Sequence, residues 1–238
     1  MPQFSKPLTA AALFAAVLMA GMLIVSRSGQ AANDNNGAQD EKQMIQIGLA
    51  VAASNGITLN MNHKDPDMVG LGSYLVNVIG DCTGCHSAGP ATEFAPGGNP
   101  FVLPGAPPLF SGIKKVNPAT YLGGGRDFGA FPNSTALLHI FSRNLTPDKT
   151  GRPEGNTLSD FKLIMRTGID LDHAHPNCAP GTNTSTCLIG SNNGALLQVM
   201  RWPAFQDMTD RQLTAMYIYL SAIPCLEGPA GEPPNRCH

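Results

Sequence analysis

The chain has 238 residues, of which 26 are glycine and 20 are proline, and only 13% are charged. This length suits one domain of ordinary size with long loops, because glycine and proline favour turns over long helices. The formal net charge at pH 7 is only −2, and no block of lysine and arginine occurs. Both observations argue against nucleic acid as a partner.

The first 32 residues have the pattern of an export signal. Lys6 precedes an uncharged apolar run at residues 8–25, and small residues follow, with Gly29 and Ala31 forming one acceptable cleavage pattern. The apolar run also just reaches the length of a membrane span. Residues 1–32 are therefore predicted to be a cleaved signal peptide or a retained N-terminal anchor. The protein is predicted to lie in the periplasm or on the extracytoplasmic face of the inner membrane.

The residues between this segment and the main domain have no clear helical or strand periodicity. The polar residues 33–43 are predicted to form a disordered tether. The residues that follow, 44–62, are predicted to form an arm that lies over the domain. Residues 63–238 are then predicted to form one domain, which ends in a tail rich in proline and glycine at residues 225–238.

The domain is predicted to begin with a helix that runs directly into Cys82. Asp65 suits the N-cap of this helix, and Pro66 suits its first helical position. Its apolar side is predicted to consist of Val69, Leu71, Leu75, Val78 and Ile79. A long structured loop, rich in glycine and proline, is predicted to follow at residues 87–135.

Two further helices are predicted after this loop. The second helix covers residues 158–167, with Thr157 as its N-cap. The third helix lies within residues 208–224, where Thr209 and Gln212 form a capping box and the apolar residues repeat at helical spacing. The sequence therefore predicts a mainly helical domain.

Cys82, Cys85 and His86 have the spacing that attaches a c-type haem. Residues three and four apart share one face of a helix, so both thiols and the imidazole can address one porphyrin edge and its iron. A CxxC pair also occurs in dithiol redox sites and in zinc sites. A dithiol site expects a βαβ context and a zinc site expects a second close pair of ligands, and the sequence offers neither. One covalently attached haem c per chain is therefore predicted.

The other four cysteines are predicted to form disulfides. In an oxidising compartment, cysteines that carry no other group tend to pair. Four cysteines allow three connectivities. The local connectivity, Cys178–Cys187 with Cys225–Cys237, closes two short loops rich in glycine, proline and asparagine. This connectivity is favoured because such short loops bridge easily and are otherwise floppy.

The second ligand of the iron is a choice between methionine and histidine. Met165 and Met216 fall within predicted helices, where a core role is sufficient, and Met208 can act as a hydrophobic staple before the last helix. Met200 has no such role and lies in an irregular stretch, where Trp202 would shield the iron from water. Met200 is therefore the predicted ligand, and a side chain that fills a gap in the core is the alternative.

Five further polar residues could contact the iron or the haem propionates. His173 and His175 form an H-x-H pair that could bind a metal ion or the haem iron, and surface turn residues are the alternative. The propionates need positive or hydrogen-bond-donating groups. The candidates are Arg126, Arg143 and Asn144, all in predicted loops, and ordinary solvated turn residues are the alternative.

Segments of the domain resemble class I c-type cytochromes. They are most similar to the exported mono-haem modules that accompany bacterial dehydrogenases. The segments occur in the order of the family, at residues 72–86, 143–155, 158–168 and 200–224. The family commonly has proline directly after the ligand methionine, where this chain has Arg201. The long stretch between His86 and Met200 implies insertions relative to a minimal domain.

The resemblance implies a mainly α-helical class I cytochrome c fold with long loops rich in glycine and proline. In this fold the N-terminal and C-terminal helices cross beside the haem. Gly72 would allow their close approach, with Tyr217 or Tyr219 packing across it. The resemblance also implies that His86 and Met200 are the axial ligands of the iron.

With both axial positions filled, the sequence predicts a one-electron carrier rather than an enzyme. Its expected partners are redox proteins, with a dehydrogenase as donor and an oxidase or another cytochrome as acceptor. The alternative is a haem enzyme or ligand sensor with an open site, which requires Met200 to be absent from the iron or displaceable. A purely structural haem subunit of a dehydrogenase complex would differ from a carrier in having a permanent interface.

Overall fold

The computed structural model describes residues 36–102, 114–130, 139–171, 196–197, 199–228 and 236–238. The chain divides into two units, Met1–Gln43 and Met44–His238. In the first unit, the described residues are helical. In the second unit, the described residues are mainly helical, as the sequence predicted, and they include one short pair of strands.

Helix α1 covers residues 36–54 and replaces the predicted disordered tether and arm over that range. Its inner face carries Ile45, Gly48 and Ala52 at helical spacing. The small residues on this face add little to an apolar pattern in the sequence, but they allow the backbone of α1 to approach another backbone closely. A Cβ atom on Gly48 would lie only 2.0 Å from the carbonyl oxygen of Gly70. The compact second unit begins at Met44, and the predicted domain boundary at residue 63 stays a prediction.

Helix α2 (Pro66–Tyr74) begins as predicted. The Asp65 side chain accepts a hydrogen bond from the Asp67 backbone N–H at 2.9 Å, and Pro66 occupies the first helical position. The helix continues as a π-helical turn, Leu75–Ile79. Wider turns of this kind shift the phase of the side chains. Val78 and Ile79, predicted for the buried side, are 43% and 62% exposed.

Helices α4 (Leu158–Thr167) and α5 (Asp210–Leu220) confirm their sequence predictions. Each begins at a threonine whose side chain accepts from a backbone N–H three residues later, and in each the third residue returns a side-chain bond to the cap. Lys162 and Arg166 of α4 form ion pairs with Asp210 at the start of α5. These pairs connect the two helices on their exposed side.

The core of the second unit lies between α2, α4, α5 and the part of α1 after Gln43. Its most buried large side chains are Val69, Val76, Leu122, Leu213, Tyr219 and Leu220. Helices α2 and α5 cross at Gly72, where an added Cβ atom would lie 2.7 Å from the Cβ atom of Tyr219. The predicted close approach at Gly72 is thus confirmed. Tyr217 instead packs edge-on against Phe161, with ring centroids 5.7 Å apart.

One pair of strands occurs among the described residues, and the sequence did not predict it. Strand β1 (Asp127–Ala130) pairs antiparallel with β2 (His139–Phe141). Strand β1 lies within the predicted loop at residues 87–135. Such a short strand, with a glycine in its middle, gives almost no period-2 pattern, so its pairing with β2 could not be seen in the sequence.

Cys225 and Cys237 form a disulfide, as predicted. The predicted Cys178–Cys187 pair lies outside the described ranges and stays a prediction. No helix in the described part of the chain combines the length and apolar character that crossing a membrane requires. The apolar run at residues 8–25 is also outside the described residues, so the choice between signal peptide and anchor stays a prediction.

Candidate functional site

The CxxCH motif forms a short helix, α3 (Cys82–His86), directly after the π-helical turn. Asp81 precedes it in the left-handed backbone region, with φ of 42°, which turns the chain from one helix into the next. Cys82 packs against the core, whereas Cys85 is exposed, and both thiols are free of disulfide bonds. Burial, together with the nearby carboxylate of Asp81, raises the pKa of the Cys82 thiol to about 12.

The imidazole of His86 is held in one orientation by the backbone of Arg143. Its Nδ1 lies 2.8 Å from the Arg143 carbonyl oxygen. A carbonyl can only accept, so Nδ1 carries the proton and Nε2 keeps its lone pair. Burial lowers the pKa of His86, which favours the neutral ring. The imidazole can therefore bind a metal ion through the lone pair of Nε2.

A second backbone contact fixes the same region. The Gly124 N–H donates to the His86 carbonyl oxygen at 2.9 Å. Gly124 has φ of +71°, and an added Cβ atom would lie 2.5 Å from the carbonyl carbon of Arg143. Only glycine suits both this conformation and this contact. Residues 123–125 therefore hold His86 against the segment that accepts its Nδ1–H.

The arrangement fits a covalently attached haem. Two unbridged thiols and a neutral imidazole with an available Nε2 lie on one helical turn. Thiols that attach the two vinyl groups and an imidazole that binds iron are the donor set of a c-type haem. Cys82, Cys85 and His86 are thus brought together as the motif predicted.

Arg126 lies next to this turn. Its guanidinium donates to the carbonyl oxygen of Gly84, within the motif itself. The guanidinium also lies over the ring of Phe128, 5.0 Å from the ring centroid. The structure therefore places the Arg126 guanidinium against the backbone of the CxxCH turn, and its role as a propionate donor stays a prediction.

The side chain of Arg143 is engaged with two carboxylates. It pairs with Glu154 at 3.1 Å and with Asp170. All three side chains are largely buried, with 21% of the arginine and 14% of each carboxylate side chain exposed. Burial alone would lower the pKa of Arg143, but the two carboxylates raise it overall. Its assignment as a propionate donor stays a prediction.

Asn144 is buried and binds protein groups with both ends of its amide. The Nδ2 donates to the Leu226 carbonyl at 2.9 Å, and Oδ1 accepts from the N–H and the hydroxyl of Thr146. These contacts join the segment after Arg143 to the C-terminal tail. The proposed contact between Asn144 and a propionate likewise stays a prediction.

Met200 lies in the irregular segment before α5, partly buried against the core. The Leu197 N–H donates to the Gly168 carbonyl at 2.7 Å. Two residues after Met200, the indole of Trp202 lies so close to Gly168 that a Cβ atom added to Gly168 would be 2.2 Å from Cε2. Both sides of Met200 are therefore tied to the end of α4. Its role as axial ligand stays a prediction.

Other candidate ligands are placed as follows. Met165 and Met216 are buried in the core, as predicted. Met208 is partly buried against the same core. His173 and His175 lie outside the residues that the structure describes, so their roles stay open to experiment.

A buried group of hydroxyl and amide side chains lies in the core and was not predicted from the sequence. Tyr121 and Tyr219 lie with their hydroxyl oxygens 2.6 Å apart, and the amide of Asn77 binds both. Asn77 also donates to Ser73, whose hydroxyl donates to the Gly48 carbonyl at 2.6 Å. Burial raises the pKa of both tyrosines. The one feature of the sequence that could have indicated this group is Asn77, an amide side chain within an otherwise apolar stretch.

Two free thiols and an imidazole on one turn of a mainly helical chain are typical of a c-type haem protein. Over 152 residues the chain is 24% identical to a protein from Pantoea cypripedii described as "Gluconate 2-dehydrogenase cytochrome c subunit". The match covers 64% of this chain but only 22% of that protein, so the chain spans less than a quarter of its length. No family model and no solved structure matches the chain.

The name of this relative, a cytochrome c subunit, agrees with the arrangement of Cys82, Cys85 and His86 on one turn.

Proposed function

We propose that this protein is a one-electron carrier that holds one haem c. The thioether bonds would form at Cys82 and Cys85, and His86 and Met200 would be the axial ligands. The observation that carries the proposal is the His86 imidazole, neutral and held at Nδ1, on the same turn as two unbridged thiols. A dithiol site would not need such an oriented imidazole.

The bound haem would supply reversible one-electron chemistry at its iron. The chain's own residues would hold and insulate it. The Arg143 carbonyl orients the imidazole of His86, and a hydrogen-bonded imidazole is a stronger ligand. The anchoring of the Met200 segment at Gly168 would hold the Met200 thioether in place as the second iron ligand. Methionine ligation favours the ferrous state, so a fairly high reduction potential is expected.

The proposed partners are redox proteins outside the cytoplasm, a dehydrogenase as donor and an oxidase or another cytochrome as acceptor. The relative from Pantoea cypripedii is named as a subunit of a dehydrogenase, which supports this class of donor. The net charge of −2 gives little long-range steering, so association with a partner should depend only mildly on salt. The apolar run at residues 8–25 would direct export and, where it is retained, anchor the protein.

The test compares the ferric absorption spectra of the wild-type protein and a Met200→Ala variant, both made with haem-attachment machinery. A weak far-red band from sulfur-to-iron charge transfer is expected in the wild type and is lost in the variant. Met208→Ala is the matched control, because Met208 is also a partly buried methionine packed on the core. This control should keep the band.

Two results would count against the proposal. A high-spin ferric spectrum that Met200→Ala leaves unchanged would contradict the methionine ligand and favour an open site, to be tested with peroxide and carbon monoxide. A haem that denaturation and organic extraction remove from the wild-type protein would contradict attachment at Cys82 and Cys85. The Cys82→Ala, Cys85→Ala double variant is the reference for this extraction, because any haem that it binds is not covalently attached.

A further inference from the structure

The segment that accepts the His86 hydrogen bond is held from the other side by Leu226. The amide of Asn144 donates to the Leu226 carbonyl at 2.9 Å, and the Leu226 N–H donates to the Thr146 hydroxyl at 3.0 Å. Asn144 and Thr146 are 1% and 0% exposed, so water does not compete for these bonds. The backbone directly after Arg143 is thus fixed by the C-terminal tail.

Arg236 holds the same segment at a second point. One guanidinium nitrogen, Nη2, donates to the backbone carbonyls of Thr146 at 2.6 Å and Asn144 at 3.3 Å. The Arg236 carbonyl in turn accepts from the Lys149 N–H at 2.8 Å. Hydrogen bonds from a charged donor are stronger than those between neutral groups. Arg236 therefore restrains two carbonyls in the residues next to Arg143.

The disulfide brings these two contacts together. Leu226 follows Cys225, and Arg236 precedes Cys237, so each residue that holds the segment neighbours one half of the Cys225–Cys237 bond. The cross-link limits how far Leu226 and Arg236 can separate. Without it, the only covalent connection between them is the intervening chain. The tail residues 225–228 and 236–238 thus act as one unit on residues 144–146.

We propose that Arg236, held by the Cys225–Cys237 disulfide, is a positioning residue for the axial ligand His86, an inference that rests on the proposed haem function. Arg236 keeps the Arg143 carbonyl in line with the Nδ1–H of His86 by fixing the residues beside it. A well-formed hydrogen bond makes the imidazole more basic, which stabilises the ferric state. Loss of Arg236 should therefore raise the reduction potential.

The test measures the midpoint potential of the haem-loaded protein by spectroelectrochemical titration. Arg236→Ala should raise the potential while the far-red methionine band is kept. Arg236→Lys should have a potential close to that of the wild type. Both bonds of Arg236 come from one nitrogen, and the lysine ammonium has enough donors for both carbonyls. The Cys225→Ser, Cys237→Ser double variant, which changes no charge, should shift the potential in the same direction as Arg236→Ala.

Arg152→Ala is the matched control, because Arg152 is an exposed arginine in the neighbouring loop. Removal of a positive charge by itself would lower the potential, so the sign separates positioning from a charge effect. An Arg236→Ala variant that loses thermal stability but keeps the wild-type potential would overturn the proposal and leave Arg236 a structural role. A fall in potential equal to that of Arg152→Ala would also overturn it.

The proposed function and this inference fail in different ways. A wild-type chain that takes up no covalent haem would contradict the proposed function, and the inference would fall with it. A wild-type protein with covalent haem and the methionine band, in which Arg236→Ala leaves the potential unchanged, would overturn the positioning role alone.

Discussion

A Cβ atom on Gly72 would lie 2.0 Å from the carbonyl oxygen of Ala215. Helices α2 and α5 therefore touch backbone to backbone, with no room for any side chain at this position. The nearest atoms belong to the α5 backbone and to the Cβ atom of Tyr219, so the obstruction cannot be relieved by rotation of a flexible side chain. Any residue larger than glycine must separate the helices.

We expect Gly72→Ala to lower the free energy of unfolding by about 1 to 3 kcal/mol, the usual cost of an extra carbon atom in a packed core. The measurement is denaturant unfolding of the haem-loaded protein, followed by circular dichroism. Gly37→Ala is the control, since Gly37 is also in a helix but has no atom within 4 Å of the added Cβ position. That change should be neutral or slightly stabilising. Equal stability of the two variants would contradict the tight crossing.

Tyr121→Phe tests the buried hydroxyl and amide group. The Tyr121 hydroxyl donates to Asn77 and contacts the Tyr219 hydroxyl at 2.6 Å, so its removal leaves buried polar atoms without a partner. The free energy of unfolding should fall by about 1 to 3 kcal/mol. Tyr74→Phe is the control, because the Tyr74 hydroxyl has no hydrogen-bond partner among the described residues. A loss no larger than that of the control would show that the group contributes little to stability.

Helix starts could be predicted from the sequence because each is determined within a few residues. The caps at Asp65, Thr157 and Thr209 all form as expected, since a capping side chain reaches a backbone N–H only two or three residues away. The same reason explains why Cys82, Cys85 and His86 share one helical turn, as their spacing predicted. Local patterns of this kind need no knowledge of the rest of the fold.

Long-range backbone contacts could not be predicted in the same way. The face of α1 that contains Gly48 is made of small residues, and its partner, Gly70, has no side-chain signal either. The carbonyl of Arg143 orients His86, yet every residue has a carbonyl, so nothing in the sequence identifies it. The sequence did suggest that the arginine side chain was important, but this side chain pairs with Glu154 and Asp170.

Acid should destabilise the loop that begins at Asp148. Partial burial alone would raise the pKa of this carboxyl, but hydrogen bonds from Thr150 and Arg152 lower it below its ordinary value. A carboxyl with a depressed pKa in the folded state stabilises the protein above its unfolded pKa, near 3.9. This stabilisation is lost as the pH falls through the folded pKa.

Unfolding of the wild-type protein and Asp148→Asn should therefore be compared between about pH 6 and pH 2. The wild type should be more stable at the upper end, and the difference should shrink as the carboxyl becomes protonated. Asp67→Asn is the control, because Asp67 lies in α2 and takes no part in the loop at Asp148. A stability difference that is constant over the whole range would contradict a role for the ionised Asp148.

The contact between Gly168 and Trp202 should control how firmly the Met200 segment is held. Gly168 ends α4 with φ of +70°, and an added Cβ atom would lie 2.2 Å from the indole. Gly168→Ala would displace Trp202 and with it the residues that follow Met200. We expect exogenous imidazole to bind the ferric haem about tenfold more tightly in this variant, a change of about 1.4 kcal/mol.

Gly151→Ala is the matched control for this prediction. Gly151 has φ of +79°, but no atom lies within 4 Å of its added Cβ position. Both variants therefore place alanine in the left-handed region, at a cost of about 1 to 2 kcal/mol, whereas only Gly168→Ala also meets the indole. Imidazole titrations that give the same affinity for both variants would show that the Trp202 contact does not support the methionine ligand. If only Gly168→Ala binds imidazole more tightly, the end of α4 supports the bond between Met200 and the iron.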